Sequence, residues 1–336
     1  MRILTILIPI LIFGQKIPKQ VDRVLDRIEL TGPVEYKNLR IFPIESRFEA
    51  KGLKLITLDQ AVKFGYLEIK EVGSGEVNWV RVRNKGKKPV FIMSGEMITG
   101  AKQDRMIKED VLIPAKSGWV KIPVFCTERG RWAYKSEKFS APEMGMSGKV
   151  RQKARLFGEQ TRVWAEISIS KRNLGVTGKT DAFQDVYRDE KLTKRAKAFQ
   201  DKLSKIPRLG KRTIGVIVAV GDEILVVDIF ANHDLFLSLW KKLLNSYIVD
   251  ALQEDSRNTV TIVKAQRFLN RIRAAGFESN HTPGLGNLYR FESTDLAGSA
   301  LTYKGSLIHL DAFPSEDDRS NPIPSLQRRR ESRFED

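Results

Sequence analysis

The sequence predicts an α+β fold, with a β-rich N-terminal sandwich or barrel followed by a mixed α/β half. Two patterns carry that prediction. From Val34 to about Ala133, apolar residues recur with a period of two in short runs bounded by turn residues, which is how half-buried strands read. Beyond Gly148 the runs are longer, charged and Pro-free, with helical spacing, and paired β-branched runs interrupt them. Length adds a third constraint. At 336 residues the chain exceeds the size at which one core usually stops growing, about 250–300 residues, so two packed units are expected. They are a β-rich unit over 34–140 and an α+β unit over 150–313, joined through the stretch from Ala141 to Gly148.

In chain order, Arg2, the apolar run Ile3 to Phe13 and then Gly14 have the parts of a secretory signal peptide, assigned to residues 1–14. Eleven helical residues rise only about 16 Å against a bilayer core of about 30 Å, so no transmembrane anchor is expected. The location that follows is secreted or periplasmic. Thr57 can cap a short helix from Leu58 to Phe64. Trp79-Val80-Arg81-Val82-Arg83 alternates as a strand, 84–89 turn, and Val90 to Met93 resume as a strand. Val111 to Pro114 and Trp119 to Phe125 follow, separated by the turn at Ala115 to Gly118. Leu156–Leu174 and Ala182–Ile206 read as helices. Thr213–Val220 and Glu223–Phe230 form a hairpin through Gly221-Asp222. Asp234–Leu252 is the clearest amphipathic helix, capped by Asn232, with Leu235, Leu239, Leu243 and Tyr247 on one face. A helix over Val260–Ala275 and strands near Leu288, Ala300 and Leu307 complete the second unit. Residues 314–336 are Pro-, Ser- and charge-rich and read as a disordered tail.

The net charge of +17, from 58 Lys and Arg against 41 Asp and Glu, favours anionic partners without choosing among them. Cys126 is the sole cysteine and His233, His281 and His309 are far apart, so neither a disulfide nor a thiolate or imidazole metal site is expected, and no cofactor is implied. Gly178-Lys179-Thr180 lacks the glycine five positions earlier that a phosphate loop needs, since Asn173 stands there; an interhelical turn is expected instead.

The densest chemistry lies in Met93 to Arg105, where Gly95, Glu96, Gly100, Lys102, Gln103 and Arg105 fall together, and in Cys126 to Trp132, where Glu128, Gly130 and Arg131 repeat the theme. Arg105 and Arg131 suit bidentate recognition of a phosphate or carboxylate, Lys102 adds a point charge, and Gln103 an amide. Trp132 offers a stacking face, and Glu96 and Glu128 can accept from hydroxyls. The same residues also suit a purely structural part, with Glu–Arg pairs fixing loops and Cys126 inert in the core.

These motifs resemble those of the ARG and rhodanese-phosphatase-superfamily-associated domain family. The resemblance rests on Gly95-Glu96, on Gly100-Ala101-Lys102-Gln103-Asp104-Arg105, and on Pro123-Val124-Phe125-Cys126-Thr127-Glu128-Arg129-Gly130-Arg131-Trp132. Softer matches run through Val163-Trp164, Asp228-Ile229-Phe230 and Trp240 to Leu244 as far as His309. The family name implies association with ADP-ribosylglycohydrolases and phosphatase-like proteins, and so a link to ADP-ribose chemistry. The expected function is binding of a small anionic ligand, a nucleotide, an ADP-ribose-like molecule or a sugar phosphate. Two alternatives are a hydrolase using Glu96 and Glu128, and an envelope scaffold binding polyanions through total charge.

Overall fold

The structure, a computed structural model, describes residues 16–47, 50, 52–210 and 212–315. The expected signal segment, residues 1–14, and the expected tail beyond Ser315 lie outside these residues. Pro314, assigned to the tail, instead closes the last strand opposite Leu296, a terminal position that tolerates the missing N–H of proline.

The fold is α+β, with a β-rich first half followed by mixed α and β elements, 8 helices and 18 strands among the described residues. Its largest sheet has nine antiparallel strands. The order is Ile28–Leu30, Leu39–Ser46, Thr213–Val220, Glu223–Phe230, Ser306–Pro314, Leu296–Tyr303, Asn287–Glu292 and Gly276–Asn280, with Val34–Tyr36 also on Leu39–Ser46. The strand Leu39–Ser46, in the first half by sequence, therefore pairs with Thr213–Val220 in the second. Its composition explains the central position. Leu39 and Ile41 feed one core while Phe42 and Ile44 feed another, so both faces must be covered. Every residue of Thr213–Val220 is buried for the same reason. The helix His233–Ala251 covers one face, and Lys19–Leu25 with Ile262–Ala274 covers the other.

The hairpin 213–230 turns as expected, with Gly221 at φ +61°, where a side chain would be strained. The long helix is capped by the Asn232 side chain accepting from the Leu235 N–H at 2.9 Å. Thr57 and Gln60 form a reciprocal capping box on Leu58–Lys63. Two expected long helices are each broken. Gly158, at φ +67°, separates Gly148–Phe157 from Gln160–Leu174. Asp189 separates Gln184–Arg188 from Glu190–Leu203 by capping the latter through the Leu192 N–H. Gly276, which follows the expected helix Val260–Ala275, begins a strand.

The first half builds a nearly closed barrel. Its six-stranded sheet runs Phe139–Ser140, Met97–Gly100, Arg105–Ile107, Trp119–Cys126, Trp79–Asn84 and Leu67–Glu71. Val111–Ile113, Val90–Ile92 and Ile56–Thr57 form a smaller sheet against it, and the space between fills with Val80, Val82, Ile92, Ile98, Ile122 and Val124. No helix among the described residues is long and apolar enough to cross a membrane.

Candidate functional site

Antiparallel pairing sets Cys126 opposite Arg105, which brings the two motif segments to one end of the barrel. Six of the seven sequence-selected residues meet there. Gln103 donates from Nε2 to the Glu128 carbonyl at 2.9 Å and accepts from Arg105 Nη1 at 2.8 Å. Glu128 accepts at Oε1 from Arg131 Nε (2.9 Å) and Thr180 Oγ1 (2.7 Å), and at Oε2 from the Asp104 N–H (3.1 Å) and Arg131 Nη2 (2.5 Å). Burial opposes the Glu128 charge, but these donors outweigh it and hold the carboxyl below its usual range. Arg131 spends its remaining N–H groups on the Ala101, Ala133 and Gly100 carbonyls and on Asp104. It is a brace with no donor left for a ligand.

Arg105 is different. Its side chain is fully buried, yet among the described residues Nε and Nη2 have no hydrogen-bond acceptor and the one ion pair is Nη2 to Glu71 Oε1 at 3.9 Å. Glu71 Oε1 accepts from the Lys102 N–H at 3.1 Å, while its Oε2 also lacks a partner. The Trp132 ring centroid lies 5.9 Å from the Arg105 guanidinium carbon. Lys102 donates to the Ser74 carbonyl and sits between the Trp132 and Tyr134 rings, 5.0 and 5.2 Å from their centroids. Both rings are solvent-exposed, so Trp132 is not a core residue. Beside them opens a hollow of about 370 Å³ lined by Lys70, Glu71, Gly73, Arg81, Tyr134 and Glu137.

Glu96 is the exception. It turns away into the packing of the long helix, where it is fully buried, accepts from the Met93 N–H at 2.7 Å and pairs with Lys242, which also binds Asp59 at 2.8 Å. Burial, with Asp59 sharing the same lysine, pushes the Glu96 carboxyl up. Gly95 and Gly100 do serve close approach, but by the protein itself. A Cβ on Gly95, which has φ +86°, would lie 2.7 Å from the Arg151 stem, and one on Gly100 would lie 2.4 Å from Ser136 Oγ. Cys126 is buried and donates to the Glu128 carbonyl at 3.3 Å; burial raises its thiol above the ordinary range, which disfavours the thiolate.

Sequence reasoning missed Glu71, Asp104, Thr180 and Tyr134 as members of this site. Gly178-Lys179-Thr180, read as a plain turn, packs on the motif through the Gly130 N–H to Thr180 carbonyl bond at 2.8 Å and the Thr180 hydroxyl. It also missed a second, largely buried charge centre. His309 lies between Asp110 (2.7 Å) and Asp228 (3.2 Å), Arg151 binds Asp228 with both terminal nitrogens, and Arg155 binds Asp311 at 2.9 Å. Burial alone would depress the imidazolium, but the flanking carboxylates push His309 up to about 10. Three cations thus meet three carboxylates. Among the described residues no group of three His, Cys, Asp or Glu is placed to hold a metal ion.

The chain belongs to the ARG and Rhodanese-Phosphatase-superfamily-associated Protein domain family, which matches residues 27–313. No curated protein and no solved structure matches the chain.

Proposed function

We propose that the protein binds a small anionic ligand of the sugar-phosphate, nucleotide or ADP-ribose-like class at the barrel end. One observation carries the reading: two guanidinium nitrogens of the fully buried Arg105, Nε and Nη2, have no acceptor among the described residues. A buried donor left unpaired costs about 1–3 kcal/mol, more when charged, and an entering phosphate or carboxylate would offset that cost with a bidentate pair. The neighbouring Glu71 Oε2, without a donor of its own, would accept from a ligand hydroxyl. Tyr134 and Trp132 offer faces to a sugar or base, and Lys102 between them a further charge. The adjoining hollow of about 370 Å³ is of small-molecule size, about 300–1,000 Å³. Glu71 and Tyr134 line it, while Arg105 lies behind Glu71 and outside its lining. The ligand's anionic group must therefore displace the weak 3.9 Å Arg105–Glu71 pair to reach the guanidinium.

The hydrolase alternative is less well supported, because Glu96 and Glu128 belong to separate networks and each is already bonded to its own cation. A thermal-shift panel of ADP-ribose, ADP, ribose 5-phosphate, inorganic phosphate and neutral ribose tests the proposal. A rise in Tm with at least one phosphorylated compound and none with ribose is expected. No rise with any of them contradicts it. Export remains part of the proposal and rests on residues 1–14 alone; fractionation of the full chain checks it.

A further inference from the structure

The outer face of the barrel sheet carries a pattern that packing does not require. On Leu67–Glu71, Trp79–Asn84 and Trp119–Cys126 the register sets Lys70 opposite Arg81 and Arg81 opposite Lys121. Three cations therefore stand abreast on adjacent strands, an arrangement that opposes pairing of the strands. Lys70 and Lys121 are relieved at the rim by Glu137 and Glu76, at 2.5 and 2.6 Å. Arg81 and Arg83 have no ion pair among the described residues, although Glu68, paired with Lys85 and Lys138, stands opposite Arg83 in the register. Tryptophans flank the cationic row. Arg81 lies 4.8 Å from the Trp119 ring centroid and Lys121 lies 4.9 Å from that of Trp79, with both rings exposed by 37–40%. The exposed large aromatic residues, Phe64, Tyr66, Trp79, Trp119, Trp132 and Tyr134, all fall within the barrel half.

We infer that this face binds single-stranded nucleic acid. A flexible polyanion with planar, unpaired bases answers both parts of the pattern, since its phosphates meet the cationic row and its bases lie against the tryptophans and stacked arginine. A purely ionic partner answers only one part, because it leaves the exposed Trp79 and Trp119 rings without a contact. The inference does not depend on the hollow beside Glu71. Lys70 and Arg81 border both, so the two surfaces share a rim, but Trp119 and Lys121 do not line the hollow and report on the face alone.

The test uses the full-length protein and a fluorescent oligothymidylate of roughly 15 nucleotides, about the site size of one stacking domain. Anisotropy should show saturable binding that weakens steeply with salt, and Trp119→Ala and Lys121→Gln should each weaken it by about tenfold or more. Both positions are solvent-facing, and unchanged circular dichroism confirms folding. The ADP-ribose thermal shift should be the same in both variants as in the wild type, so either reading can fail alone. Absence of binding at low salt overturns the inference. So does equal affinity of Trp119→Ala, which would leave only charge. Tighter binding of heparin with the same dependence on Trp119 would assign the face to a polysaccharide instead and equally overturn it.

Discussion

Arg105 and Arg131 come from the same two motifs and looked equivalent, yet their surroundings give them opposite expected behaviour. Arg131 neutralises Glu128 and Asp104 and ties down three carbonyls, so Arg131→Met should cost about 3–5 kcal/mol by stranding partly buried carboxylates. Arg105 has one hydrogen bond and two orphaned donors. Arg105→Met should leave stability within about 1 kcal/mol of wild type or raise it, since an apolar replacement removes a poorly paired buried charge. Urea unfolding of the two variants checks the contrast; equal losses would make Arg105 a brace too. The His309 centre gives a pH signature. Its folded pKa of about 10 stands above the ordinary 6.5, so its stabilisation is complete below about 6.5 and lost as pH rises through about 10. The urea midpoint should fall across that window, and His309→Asn should flatten the fall. The mixed charge of 96–105 and 128–132 made this region visible in the sequence. Glu71, Thr180 and His309 were not visible as partners, because each is one ordinary polar residue whose contacts come from distant parts of the chain.

Elements with strong local signals were legible. Gly221-Asp222 between two β-branched runs specified a hairpin, and Asn232 before an apolar stripe specified the start of the long helix. The breaks at Gly158 and Asp189 had local signals too, a left-handed helix stop and an N-cap, but continuous charged periodicity masked them. The start of Gly148–Phe157 combines a local cap, the Ser147 hydroxyl accepting from the Val150 N–H, with a tertiary one. Asp250, from the far end of the long helix, accepts from the Gly148 N–H at 2.5 Å and the Lys149 N–H at 3.3 Å. Burial raises its carboxyl to about 7 from 3.8. Its protonated form is thus favoured in the fold, so its contribution is present at low pH and lost as pH rises from about 4 through about 7. Asp250→Asn should therefore gain stability relative to wild type as pH rises from about 4 to about 7. Parallel denaturant curves for the two proteins measure the difference; a constant gap would contradict the assignment.

At the scale of the molecule, the nine-stranded sheet joins Leu39–Ser46 to Thr213–Val220, and ion pairs such as Lys242–Glu96 and Arg290–Glu109 cross between the halves. The halves should unfold together. Tryptophan fluorescence and far-ultraviolet circular dichroism should give one coincident transition. Two separated transitions would show independent domains. Fold class was readable from periodicity, but sheet order was not, because strand pairing over such sequence distances leaves no local trace beyond the apolar run of a strand buried on both faces.

The most direct test of the binding account is isothermal titration of ADP-ribose into wild-type protein and Arg105→Met side by side. The account predicts saturable one-site heat in the wild type, absent from a variant that melts at the same temperature or higher. Undiminished binding by Arg105→Met, or no heat with either protein, would contradict it.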